Sequence, residues 1–170
     1  MSQANQLGKK FAYIFWGLFL LLGYWFFESQ LNKQYNPNQD PSSYRAGEQS
    51  VLVLKRNRMG HYVTSGQING YPVTFLLDTG ATDVAVPKQV ADAIGLPYGA
   101  QIRVGTANGQ ATAYRTEIRN LNIGELKFTE VRASILPGMN GDEILLGMSA
   151  LKRVEFSQRG DQLTLKHFNQ

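Results

Sequence analysis

The chain has no cysteine and only two histidines, His61 and His167, among its 170 residues. The first absence excludes disulfides, thiolate metal sites and cysteine nucleophiles. With so few histidines and with carboxylates scattered at no ligand spacing, no metal site and no cofactor are expected. No glycine-rich loop precedes a Lys-Ser or Lys-Thr pair, which removes the P-loop nucleotide hydrolases. A serine triad is also unsupported, since Gly-x-Ser-x-Gly is absent, His61 beside Tyr62 reads as a strand-edge residue and His167 falls in a terminus prone to fraying. Seventeen Lys and Arg against thirteen Asp and Glu give a formal charge of +4. The basic residues never cluster beyond Lys55, Arg56 and Arg58, too thin a footprint for nucleic acid.

Charge is missing altogether from Phe11 to Phe27, where aromatic residues lie towards both ends, Lys9 and Lys10 precede and Glu28 follows. That pattern predicts a single transmembrane anchor over residues 11–27, with residues 1–10 cytoplasmic and the remainder outside. A cleaved signal peptide is the alternative; against it, Tyr24 to Phe27 are bulky where a peptidase needs small side chains. Residues 28–50 are rich in Asn, Gln, Ser and Pro with almost no aliphatic side chains, which predicts a flexible polar tether. Residues 51–170 are left as the folded domain, long enough for one modest core.

In that domain strand signals dominate. Val51 to Leu54, His61 to Ile68 and Tyr71 to Leu77 read as strands, the last two joined by Asn69-Gly70 in a hairpin. Pro87 opens a short helix that stops at Gly95. Ile102 to Ala107 and Gln110 to Arg115 flank Asn108-Gly109, while Ile118 to Ile123 and Lys127 to Leu136 flank Gly124-Glu125. Ile144 to Gly147 leads into a helical turn at Met148 to Lys152, and Val154 to Ser157 pairs with Leu163 to Lys166 across Arg159-Gly160-Asp161. The expected fold is all-β, a small antiparallel barrel or sandwich with one or two short helices. Phe75-Leu76-Leu77-Asp78-Thr79-Gly80-Ala81 is echoed 69 positions later by Ile144-Leu145-Leu146-Gly147-Met148-Ser149-Ala150. Each copy ends a predicted strand, as two related halves would place them.

The chemistry that survives these absences is acid and base work by carboxylates. Asp78 leaves an apolar strand and is followed at once by Thr79 and Gly80, so it has to be hydrogen-bonded, paired or protonated. Amide hydrolysis by carboxylates needs two acids sharing one proton, and the chain offers one suitable Asp. Asp83 falls past the turn, and Asp142 and Glu143 lie in a glycine-rich loop. A two-fold homodimer supplies the second copy of Asp78.

Asp78-Thr79-Gly80-Ala81 after Phe75-Leu76-Leu77, the hairpin tip Thr106-Ala107-Asn108-Gly109, and Leu145-Leu146-Gly147 before a short helix resemble the retropepsin-like aspartic proteases. With the amino-terminal anchor, the whole is similar to the bacterial single-pass membrane members of that clan. The likeness spans about residues 51–166. It implies a closed barrel of the retropepsin type, and a peptidase of the bacterial inner membrane with its amino terminus cytoplasmic and its protease domain periplasmic. The implied partners are a peptide or protein substrate and a second copy in a homodimer. Asp78 becomes the catalytic acid, supported by Thr79, Gly80 and Ala81; Thr106, Ala107, Asn108 and Gly109 become a substrate-covering flap; and Leu145, Leu146 and Gly147 pack beneath the catalytic loop. The retroviral branch carries Asp and Arg where this chain has Thr82 and Met148, so the resemblance implies a dimer held differently. Two other readings compete with it. One is a non-catalytic membrane-tethered domain of the same fold that binds peptides or proteins, and the other is an envelope structural protein.

Overall fold

The computed structural model describes residues 3–106 and 109–168. Two compact units make up the chain, residues 1–35 and 36–170. The first is one helix, α1 (Gln3–Tyr35). Its stretch Lys10–Tyr35 is long and apolar enough to cross a membrane. At 1.5 Å per residue those 26 residues reach about 39 Å, more than the roughly 30 Å of a hydrocarbon core. Phe11, Trp16, Leu20 and Phe27 along it stay exposed, so its apolar surface has no partner among the described residues.

Residues 28–50 differ from the expected tether. Glu28 to Tyr35 continue α1, in keeping with the good helix propensity of Glu, Gln, Leu and Lys. Asn36 and Asn38 are buried in the second unit. The Asn38 side-chain amide donates to the carbonyls of Lys55 at 2.9 Å and Val63 at 2.7 Å, and its carbonyl accepts the Lys55 N–H at 2.7 Å. Asn36 accepts the Asn38 N–H at 3.0 Å and donates to the Ser65 hydroxyl at 3.0 Å. A further strand follows, β1 (Ser42–Ala46). Composition missed this segment because its partners are mostly backbone groups, which a polar side chain can satisfy as well as an apolar one can fill a core.

The second unit holds two sheets around one core. The smaller has the order β1-β2-β11-β10, all antiparallel, with β2 (Gln49–Lys55), β10 (Glu155–Arg159) and β11 (Gln162–Phe168). Leu52 and Leu54 on β2 face Leu165 and Leu163 on β11, and all four are buried. The larger sheet has the order β3-β4-β9-β5-β8-β7-β6. Its strands are β3 (Val63–Ile68), β4 (Tyr71–Leu77), β5 (Val84–Pro87), β6 (Gln101–Thr106), β7 (Gly109–Ile123), β8 (Leu126–Leu136) and β9 (Glu143–Leu146). β3 also pairs with β7 through Gln67–Asn122 and Ile68–Leu121, closing this sheet on itself. The barrel is mostly antiparallel, but β4–β9 and β5–β8 are parallel pairs.

The turns follow their sequences. Asn69 and Gly70, at φ 51° and 87°, make the tight β3–β4 hairpin, since both residues tolerate positive φ. Pro87 caps α2 (Lys88–Ala93), which ends before Gly95 at φ 67°. The Asp92 carboxyl on α2 is held below its ordinary range by the hydrogen bond from Lys88 and then by that from the Tyr98 hydroxyl. A last helical turn, α3 (Met148–Leu151), follows β9. Phe75, Ile118, Leu121, Ile135, Ile144 and Leu146 are essentially inaccessible in the core, each contributing about 1.5–3 kcal/mol by leaving water.

Candidate active site

The two echoed segments lie side by side. β4 and β9 run parallel with Phe75 beside Ile144, Leu76 beside Leu145 and Leu77 beside Leu146, so the spacing of 69 residues is the register of the pair. Asp78 and Gly147 therefore leave adjacent strands at the same level. The Asp78 N–H donates to the Leu146 carbonyl at 3.2 Å, which extends the ladder one step into the loop.

The loop 78–83 then has to cross the end of β9, because β5 lies on the far side of β9 from β4. Gly147 makes that crossing possible. A Cβ on it would stand 2.2 Å from the Asp83 carbonyl oxygen and 2.7 Å from that of Ala81. With no side chain there, the backbones close on each other. The Met148 N–H donates to the Ala81 carbonyl at 2.8 Å and the Ser149 N–H to the Thr82 carbonyl at 2.9 Å. These amides at the start of α3 have no partner within the helix, and the loop supplies one. Leu145 and Leu146 carry this support, Leu146 from the core and Leu145 beside Ala85 of β5.

Asp78 itself is half-buried. One carboxyl oxygen, Oδ1, accepts the Gly80 N–H at 2.8 Å, and the Ala81 N–H donates to the Asp78 carbonyl at 3.3 Å. No ion pair involves Asp78 among the described residues. Thr79 and Gly80 are exposed and Ala81 is half-buried, so the turn presents its hydroxyl and its acid outward from a rigid base. Of the expectations for this acid, hydrogen bonding is the one observed.

Three residues of the loop's setting carried no sequence signal of their own. Ser149 is buried; its hydroxyl accepts the Val84 N–H at 3.0 Å and donates to the Arg132 carbonyl at 2.7 Å, joining α3 to β5 and β8. Arg132 donates through Nε to the Asp83 carboxylate at 2.7 Å. That ion pair stands at the end of the loop that holds uncharged Thr82 and lies against uncharged Met148 of α3. A serine in a helical turn and an Asp–Arg pair 49 residues apart are too common for a sequence to single out.

The expected flap is a hairpin of β6 and β7, with Thr106 paired to Gly109 and the Thr106 hydroxyl donating to the Gly109 carbonyl at 2.8 Å. Ala107 and Asn108 lie outside the described residues. Thr106 and Gly109 are exposed, and no hydrogen bond joins them to the Asp78 loop. Asp78 to Ala81 and Leu145 to Gly147 are thus brought together, and the hairpin is not hydrogen-bonded to them in this single chain. Among the described residues no group of three or more His, Asp or Glu is placed to hold a metal ion.

This arrangement has relatives. Residues 64–153 match the family described as gag-polyprotein putative aspartyl protease. An uncharacterized protein in the cobV 5' region of a Sinorhizobium species is 35% identical over 124 residues, covering 71% of this chain and 53% of that protein. An uncharacterized protein of Rickettsia prowazekii (strain Madrid E) is 30% identical over 116 residues, covering 66% and 49%. The chain thus spans about half the length of these curated relatives. The crystal structure of a retropepsin-like aspartic protease from Rickettsia conorii superposes with a TM-score of 0.59 at 29% identity, over 75% of this chain and 96% of that one. With more than half its length matched by the family pattern, the chain belongs to the gag-polyprotein putative aspartyl proteases and carries their retropepsin-like fold.

Proposed function

We propose that the chain is a membrane-anchored aspartic endopeptidase whose site forms when two copies bring their Asp78 carboxylates together. The observation that carries this reading is a half-buried Asp on an exposed turn, held from behind by β9 and α3 and in no ion pair among the described residues. One such acid is half of what amide hydrolysis requires. Two carboxylates facing each other cannot both ionise readily, so the pair keeps one proton. The ionised Asp78 takes a proton from a water held between them while the protonated one gives its proton to the scissile carbonyl oxygen. The water oxygen bonds to the carbonyl carbon, and a tetrahedral diol results. The carbon–nitrogen bond then breaks, the nitrogen taking the proton gained from water and a diol hydroxyl returning its own to the other carboxylate.

The exposed Thr79 hydroxyl is available to the partner's loop, and the β6–β7 hairpin is the element long enough to cover a bound peptide and exclude water. The helix α1 suits an inner-membrane anchor, with Lys9 and Lys10 favouring a cytoplasmic amino terminus and a periplasmic protease domain. The test is cleavage of a fluorogenic peptide library by the full chain in detergent or lipid discs. Asp78→Asn is expected to lose at least about 10³-fold in rate, about 4 kcal/mol of transition-state stabilisation, with an unchanged thermal midpoint. A hydroxyl-bearing analogue of the tetrahedral intermediate is expected to inhibit the unaltered chain. Cleavage that survives the substitution sinks the proposal.

A further inference from the structure

The basic run Lys55, Arg56 and Arg58 takes no part in the proposed chemistry. It lies where β2 gives way to the loop 56–62 that leads to β3, and all three residues are exposed. Arg56 pairs with Asp161 at 2.6 Å, whereas Lys55 and Arg58 enter no ion pair among the described residues. Asp161 thus offsets one cation of the three. Met59, next to Arg58, is 61% exposed. An exposed apolar side chain needs no reason by itself. This one stands on a turn whose backbone is tied down from below. Buried Asn57 accepts the Met59 N–H at 3.0 Å and the His61 N–H at 2.9 Å through Oδ1, and its own N–H donates to the His61 carbonyl at 2.8 Å. The Gly60 N–H closes on the Asn57 carbonyl at 3.1 Å, with Gly60 at φ 89°. Arg56, Asn57, Arg58, Met59, Gly60 and Asp161 line an open hollow of about 470 Å³.

The chain enters the second unit beside this loop. Asn38 bridges Thr64 in the parallel sense, and its side chain holds Lys55 and Val63, the two residues that flank the loop. A parallel bridge sets the residues before Asn38 alongside those before Thr64, on the loop's side of the domain. The three steps from Tyr35 to Asn38 span at most about 11 Å.

We infer that the loop 56–60 docks on the anionic headgroups of a phospholipid bilayer, with Lys55, Arg56 and Arg58 on the lipid phosphates and Met59 dipping between them. Charge argues for this occupant, since each cation at an anionic lipid surface strengthens binding about fivefold. The flexible apolar chain of Met59 suits the uneven boundary beneath the headgroups. Place argues for it too. A loop that flanks the point of entry meets the surface as a tethered group, so contacts too weak to bind a free domain are enough. The inference rests on the anchor of the proposed function and adds an orientation to it. The domain stands on this loop, with the Asn69-Gly70 turn at the other end of β3 left in water.

The absence of cysteine makes the test direct. Single cysteines in the full chain, at Met59, at Tyr71 beside the β3–β4 turn and at Leu21 in α1, carry a fluorophore whose emission reports contact with water. In discs of phosphatidylglycerol the Met59→Cys label is expected to leave water while the Tyr71→Cys label stays in it. In discs of phosphatidylcholine both are expected to stay in water. Arg58→Gln in the Met59→Cys chain is expected to lower the ratio of docked to free loop about fivefold, and Arg58→Glu about fivefold again. At about 1 M salt, where charges are screened beyond about 3 Å, the difference between the two lipids is expected to vanish. The inference is overturned if the Met59→Cys label stays in water on the anionic discs, leaves it equally on both lipids, or is matched by the Tyr71→Cys label. Release by inorganic phosphate but not by potassium chloride of equal ionic strength also overturns it, and makes the loop a site for a soluble anion. The Leu21→Cys label tells the two failures apart. If it lies among acyl chains while the Met59→Cys label is in water, the anchor stands and the docking falls; if it is itself in water, the anchor falls and the docking with it.

Discussion

β4 and β9 arrive at the site in parallel with matching side chains, Phe75-Leu76-Leu77 against Ile144-Leu145-Leu146, and part there: one continues into Asp78, the other into Gly147. The difference divides the labour between them. The first strand end carries the acid and the second carries nothing, because the acid's own loop passes over it within 2.2 Å of where a Cβ would be. An acid on a loop that could drift would be a poor catalyst, since misplacement by about 1 Å can cost roughly 10²-fold in rate. On the proposed function, the bare strand end serves the chemistry by being empty.

That division can be broken from the empty side. After the loss of cutting in Asp78→Asn, the largest effect is expected from Gly147→Ala. Gly147 has φ −87°, an ordinary value for alanine, so only the collision with Ala81 and Asp83 is at issue. About 3 kcal/mol of destabilisation, or roughly 10 °C in thermal midpoint, is expected together with lost cleavage. Calorimetry that shows an unaltered midpoint contradicts the crossing. Ser149→Ala comes next. It leaves the Val84 N–H buried without its acceptor, for about 1–3 kcal/mol, and chemical denaturation reads it. The smallest effect belongs to Asp83→Asn. Its partner Arg132 has a side chain 62% exposed, so solvent screening limits the loss to under about 1 kcal/mol, shrinking further in high salt. A loss larger than that of Ser149→Ala would invert the ranking and make the ion pair the loop's main support.

Much of this fold was legible where turn chemistry punctuates it. Asn69-Gly70, Gly124-Glu125 and Gly160-Asp161 each close the hairpin expected of them. The strands without such punctuation were harder to see. β5 is four residues long, wholly buried and ends in Pro87, so no alternation distinguishes it from the turn before it. β1 has little to bury, and its pairing with β2 is set by backbone hydrogen bonds that any side chain permits. β7 reads as two strands because Thr116 and Glu117 interrupt its apolar pattern, although it is continuous over 15 residues. His167 was expected in a fraying end, yet β11 reaches Phe168 and the His167 ring lies 4.9 Å from that of Phe128. At the site, Asp78 and its Leu-Leu-Gly support stood out because their order along the chain is unusual. Ser149, Asp83 and Arg132 did not, because their roles exist only once β5, β8 and α3 are side by side.

The Asn38 clamp has a bearing on reach. Between Tyr35, where α1 ends, and Asn38, which is bonded to Lys55 and Val63, the chain has only three steps, at most about 11 Å of backbone. A leash with so little slack cannot loop back as an extended strand into the proposed site, and residues 42–46 are already committed to β1. Self-trimming in this stretch would first require the clamp and the strand to come undone.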